Sequence, residues 1–333
     1  MAPRVDVGLC AVILAVTREE PLVLTLSLPP DAPAEGWTRP PPGGVLVDAL
    51  PYGPLDPAGD RTLELALRRW VRTQAGLELG YVEQLYTFGD RMRNPGELTG
   101  GPRLVSVAYL ALVRESGLAR FENARWSRVY HFFPWEDRRG GEPPRVAELL
   151  LAPLQRWAGA APGRAERLDI AWGRAGSSWD EERVLERYEL LYEVGLVPEA
   201  HRDARRVGRP LPEASPGPVE VVGREMLFDH RRVLAAALGR LRAKIKYRPV
   251  IFELLPETFT LLQLQRTVEA LAGVRLHKQN FRRLVERGGL VEGTGHYEVH
   301  TGGRPAELFR FRREVLRERP APGVGLPGAR RGY

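Results

Sequence analysis

The longest apolar run in the chain, Val7 to Val16, spans ten residues and stops at the charged turn Thr17-Arg18-Glu19-Glu20. A membrane-crossing helix needs about 20 apolar residues, so this run reads as a buried strand. A second strand, Leu22–Leu28, follows the turn, and a proline-rich loop at 29–42 leads to Pro42-Gly43-Gly44. The only cysteine, Cys10, lies inside the first strand. A lone cysteine excludes an intramolecular disulfide, and at this place it is expected to be a packed core thiol.

Beyond the loop, Leu63, Ala66, Leu67, Trp70 and Val71 put one apolar face on residues 62–77, with Gly76 suited to a helix C-cap. Strands are expected near 81–88 and 103–113, separated by a Gly/Pro/Asn-rich loop at 89–102. Such alternation of strands and helix fits an α/β or α+β domain. The chain's 333 residues, 43% of them hydrophobic, suffice for two domains with their own cores.

Residues 119–222 are less periodic. Ser178 followed by Glu181 reads as a capping box for a helix carrying Val184, Leu185, Tyr188, Leu191 and Tyr192, and ending at Gly195. The aromatic segments 126–135 and 157–172 read as core. Regular spacing returns from Phe228 to Tyr247, where Val233, Leu234, Ala237, Leu238, Leu241 and Ile245 mark an inner face. The Lys and Arg residues between Arg231 and Lys246 are placed on the opposite face, and Pro249 ends the helix.

Residues 260–313 have the order helix, helix, hairpin. Thr260 or Thr258 caps a helix with Leu261, Leu264, Val268 and Leu271 inward, ending at Gly273. A second helix, about 277–287, turns Phe281, Leu284 and Val285 inward and stops at Gly288-Gly289. Strands Leu290–Thr294 and Ala306–Phe311 form a hairpin with Gly302-Gly303-Arg304-Pro305 at or near its tip. This is the plan of a winged helix-turn-helix. Its outward side chains Lys278, Gln279, Arg282 and Arg283, with Asn280 at the edge and Arg304 on the wing, suit contacts to base edges and phosphates. His296 and His300 are four apart, but on a hairpin that spacing does not make a zinc site.

Charge distribution agrees. Residues 224–319 hold 20 Lys/Arg and 11 Asp/Glu, whereas the rest of the chain holds 29 and 31. The basic excess therefore belongs to the C-terminal third, as expected of a part that meets a polyanion.

The run Arg69-Trp70-Val71-Arg72-Thr73-Gln74-Ala75-Gly76-Leu77 resembles the end of the Nudix box, G-x(5)-E-x(7)-R-E-U-x-E-E-x-G-U, with Gly43-Gly44 as its opening turn. In that family, glutamates on one helix face hold magnesium beside a diphosphate, since a hard cation requires oxygen ligands. Here Trp70, Thr73 and Gln74 stand where the clustered glutamates belong, and Arg61 stands at the upstream one. The span Val45 to Arg61 is also longer than the motif allows.

With Phe228-Asp229-His230-Arg231-Arg232, Phe252-Glu253-Leu254-Leu255-Pro256-Glu257-Thr258-Phe259-Thr260-Leu261 and Gly303-Arg304-Pro305-Ala306, the chain resembles the Nudix-related transcriptional regulators of NAD metabolism. Pro134-Trp135-Glu136-Asp137 and the length of 119–222 resemble an enlarged, alphaproteobacterial branch associated with NAD biosynthesis genes. The resemblance implies an α+β protein: a Nudix-like α/β/α sandwich sensor (1–247, with 119–222 inserted), a winged helix-turn-helix domain (248–318) and a flexible tail (319–333). It also implies a homodimeric, non-enzymatic repressor that binds double-stranded operator DNA and responds to an NAD-related nucleotide. With the glutamates replaced, no metal or cofactor is expected. The short apolar run and an N-terminus without a basic region before a cleavable apolar stretch lead us to expect a cytoplasmic protein without a membrane segment. Trp37, Arg39, Gly43, Gly44, Arg91 and Arg93, a stacking ring, a glycine turn and guanidinium groups, are the expected effector site. The competing readings are an ADP-ribose or nucleoside-diphosphate pyrophosphatase with metal ligands recruited from Glu64 and Glu78, and a DNA-binding protein whose Nudix-like part only dimerises.

Overall fold

The apolar N-terminal run forms the inner part of β1 (Val5–Thr17), where every residue from Leu9 to Ala15 is at most 1% exposed. Successive strand residues point to opposite faces, so both faces of β1 are covered. In this computed structural model, which describes residues 4–32, 45–91, 95–115, 118, 121–298 and 305–324, β1 is paired along its length with β6 in parallel.

The sheet is built from β1, β2 (Glu20–Leu28), β3 (Val47–Ala49), β4 (Tyr52–Pro54), β5 (Tyr81–Phe88), β6 (Arg103–Leu112) and β7 (Ala124–Arg128). Its order is β3-β2-β1-β6-β5, with β4 added to β1 and β7 to β2. The long span after the glycine turn is therefore no free loop: it supplies β3 and β4. The first part of the segment expected as an insertion likewise supplies β7, an edge strand that its sequence did not announce. Helix α1 (Leu63–Ala75) packs on β1 and β4. Thr62 caps it by accepting from Leu65 N, and Gly76 ends it with φ 66°.

Five helices follow: α2 (Ala152–Ala158), α3 (Pro162–Trp172), α4 (Val184–Val194), α5 (Pro198–Arg206) and α6 (Val219–Val222). Gly195 closes α4 as expected, but the helix starts at Val184 rather than at a Ser178 box. Residues 181–183 form a turn instead, in which the Asp180 carboxylate accepts from Glu182 N. The following helix, α7 (His230–Ile245), packs against α4, β1 and β5. Its arginines depart from expectation, because Arg231 and Arg242 are fully buried. The middle segment lays carboxylates against them, Glu199 on Arg231 and Glu136 on Arg242, so charged positions belong to the packed face.

The C-terminal part contains β8 (Thr258–Thr260), α8 (Leu261–Ala272), α9 (Lys278–Arg287), β9 (Val291–Glu298), β10 (Ala306–Phe311) and α10 (Val315–Glu318). Thr260, not Thr258, caps α8, in a reciprocal box with Gln263. The hairpin is a three-stranded sheet of order β8-β10-β9, since Thr258–Thr260 joins it. The start of the expected flexible tail is docked: Val324 is buried and its N–H donates to Ile245 O at 2.8 Å.

Candidate nucleic-acid interface and the altered box helix

Helix α9 presents an amphipathic cylinder. Phe281 and Val285 are fully buried and Leu284 partly so, while Lys278, Gln279, Arg282 and Arg283 are exposed and Asn280 is intermediate. Among these the contact within the protein is Arg283 Nη2 donating to Asn280 Oδ1 at 3.3 Å, a weak exposed bond that a DNA group can replace. The N-terminal end of α9 follows His277 without a side-chain cap, leaving backbone N–H groups available to a phosphate. Arg304 lies outside the described residues.

The box helix is chemically closed. The Trp70 indole N–H donates to Pro54 O at 2.8 Å, and its ring lies where any Cβ on Gly53 would have to go. Thr73 Oγ1 donates to Arg69 O at 2.9 Å. The buried Gln74 amide pairs with the Tyr52 backbone, accepting from its N–H at 3.1 Å and donating to its C=O at 2.8 Å. All three residues in glutamate positions thus direct their polar atoms to backbone. Arg69 forms a two-bond fork with Asp60. That contact holds the Asp60 carboxyl below its ordinary range, chiefly through the hydrogen bond from Arg69. The two carboxylates considered as recruited ligands are also engaged, Glu64 with Arg68 and Glu78 with Arg72. Among the described residues no cluster of three or more His, Cys, Asp or Glu is placed to hold a metal ion.

The C-terminal fold and its sequence agree with a known DNA-binding family. Residues 251–311 match the NrtR DNA-binding winged helix domain. The chain is 39% identical over 87 residues to the ADPR responsive transcriptional repressor NtrR of Acinetobacter baylyi, a match covering 26% of this chain and 34% of that protein. It thus spans about a third of that relative's length. The fold as a whole is similar to the crystal structure of Shewanella oneidensis NrtR complexed with a 27mer DNA (TM-score 0.54, 19% identity, 93% of this chain and 95% of that one). A MutT/nudix family protein from Enterococcus faecalis is similar at TM-score 0.51 and 15% identity, over 94% and 88% of the two chains. A Nudix-like domain followed by an NrtR-type winged helix is therefore the architecture, as the sequence implied.

The winged helix is fastened to the rest of the chain through the C-terminal end of α8. Carbonyls in a last helical turn lack intrahelical partners. Here the Ala270 carbonyl accepts from Tyr130 OH at 2.6 Å, Leu271 from Arg242 Nε at 2.8 Å and Gly273 from Arg138 N at 2.7 Å. Burial pushes the Tyr130 phenol up to about 12, against the pull of nearby Arg242, so it stays a donor. Glu19, in the β1–β2 turn, faces Arg266 and Arg275 across the same junction.

Of the expected effector residues, Arg91 is exposed at the end of β5 and lines a cavity; Trp37, Arg39, Gly43, Gly44 and Arg93 lie outside the described residues. The junction residues Tyr130, Glu136 and Arg242 were not singled out by sequence reasoning as a site. The one signal was Glu136 within Pro134-Trp135-Glu136-Asp137, a carboxylate directly after a run of aromatic residues.

Proposed function

We propose that this chain is a DNA-binding transcriptional repressor of NAD biosynthesis genes, controlled by an NAD-related nucleotide of the ADP-ribose class bound to a catalytically inactive Nudix-like domain. The observation that carries the reading is α9, an exposed row of Lys278, Gln279, Arg282 and Arg283 on a domain matched to the NrtR winged helix. Arginine and lysine suit guanine, glutamine and asparagine suit adenine, and the basic excess of residues 224–319 supplies the phosphate attraction. Arg304 is proposed to add a wing contact.

The spent polar atoms of Trp70, Thr73 and Gln74 support inactivity toward magnesium-dependent hydrolysis, since the ion would lack its carboxylates. Residues 1–247 form the sensor and 248–318 the reader in this reading. A single winged helix reads a short half-site, which favours a homodimer on a pseudo-palindrome. Membership of the enlarged branch is part of the proposal and rests on the length of 119–222.

Footprinting on the chain's own upstream DNA, with and without ADP-ribose, tests the whole. A protected palindrome whose occupancy changes with ADP-ribose is expected. No protection at any salt concentration would remove the DNA-binding reading, and protection indifferent to ADP-ribose, NAD and nicotinate mononucleotide would leave the Nudix-like part as a scaffold.

A further inference from the structure

A cavity of about 370 Å³ lies at the N-terminal end of α7, walled by α4, α5 and the residues just after β5. Arg91, Arg206 and Arg209 line it, and none of the three forms an ion pair with a described carboxylate. Neighbouring arginines differ: Arg232 is forked onto Glu189, and Arg202 is held by Asp203 and the Met226 and Phe228 carbonyls. Burial, with Arg202 nearby, lowers the pKa of the half-buried Arg206 against the opposing pull of Asp203. Of the carboxylates in the wall, Asp203 is engaged by Tyr192 and Arg202 and Glu193 by Arg167, while Asp90 and Asp229 complete it.

Two further features mark the place. Phe228, also in the wall, has φ 51°, a left-handed backbone that a bulky side chain rarely adopts and that tends to collect at ligand sites. A second cavity, of about 430 Å³, shares Asp90 and Arg232 with the first and is lined by Leu85, Tyr86 and Phe88. Tyr86 is 61% exposed, an aromatic face with room beside it.

We propose that Arg91, Arg206 and Arg209 bind the diphosphate of a nucleoside diphosphate whose ring system seats against Tyr86. Planar guanidinium forks match phosphate oxygens, and the aromatic face suits a base. The inference rests on the nucleotide-controlled reading above and places the ligand on the α4–α5 side rather than in the altered box. It also connects binding to output. Helix α7 starts in this wall at His230, and Arg242, which holds α8, lies about 18 Å farther along it.

Calorimetry with ADP-ribose on the full chain, on Arg206→Gln and on Arg209→Glu tests the site, with thermal melting to confirm folding. Each substitution is expected to raise Kd by about tenfold or more, the effect of losing one charged hydrogen bond. If Arg206→Gln does not fold, the exposed Arg209 carries the test. Wild-type affinity for ADP-ribose in the folded variants would overturn this site while leaving nucleotide control standing. Absence of ADP-ribose binding by the unmodified chain would overturn both. Weaker operator binding by Arg209→Glu at unchanged ADP-ribose affinity would make the surface a DNA contact and overturn the proposal.

Discussion

Arg242 on α7 and Glu136, between β7 and α2, form an ion pair with Nη1 2.6 Å from Oε2 and both side chains 0% exposed. The same carboxylate takes a fork from Arg187, at 2.5 and 2.9 Å. Remaining guanidinium N–H groups donate to carbonyls of Ala171, Asp180, Glu181 and Leu271. One acidic residue thus fixes α4, α7 and, through Leu271, the winged helix. A buried charge is tolerated where every donor has an acceptor, and removing one partner strands the others.

Glu136→Gln is accordingly expected to cost about 3–5 kcal/mol, the range for breaking a buried pair from one side. Urea denaturation at neutral pH would measure it. A loss below about 1 kcal/mol, an ordinary surface effect, would show that the hub is dispensable.

The same group sets an acid limit. Burial pushes the Glu136 carboxyl up, but Arg187 and Arg242 outweigh it and hold the group below 4.5. A carboxyl depressed on folding contributes stability above its unfolded pKa and loses it as pH falls through the folded value. Stability should therefore fall with pH below 4.5, and Glu136→Gln should flatten that part of the profile.

Gln74→Glu, which restores a carboxylate to the box, should destabilise rather than activate. The amide N–H to Tyr52 O would be lost and an acidic group buried beside a carbonyl, at about 1–3 kcal/mol. A magnesium-dependent ADP-ribose hydrolysis appearing in this variant, abolished by chelator, would falsify the view that the box is closed by packing.

Gly273→Ala should loosen the junction between the winged helix and the N-terminal part of the chain. Gly273 ends α8 at φ 72°, and a Cβ there would overlap the Glu136 carbonyl. Lower melting temperature together with altered operator affinity is expected; unchanged values of both would mean that the junction has slack.

Arg282→Ala should weaken operator binding without a change in melting temperature, because the side chain is exposed. If it contacts phosphate, the slope of log affinity against log salt should fall by about 0.9. Gln279→Ala should instead relax preference at one base pair, costing about 1–3 kcal/mol of discrimination.

The parts of this protein set by local pattern could be read directly from its sequence. A continuous apolar run specifies a doubly covered strand, Thr62 and Gly76 delimit a helix, and the spacing of Phe281 and Val285 determines which side of α9 faces solvent. These depend on periods of two and 3.6 residues and on caps a few residues apart, so neighbouring positions carry the information. What joins the elements was decided only by the tertiary structure. Arg231 and Arg242 read as solvated charges because their partners lie far off in the chain, Glu136 at a separation of 106 residues from Arg242. Likewise the short β7 becomes a strand because β2 offers an edge, and Arg206 and Arg91 come to line one cavity although they lie far apart in the sequence. Burial of a charge depends on the field and acceptors assembled around it, and that assembly exists only after distant segments have packed.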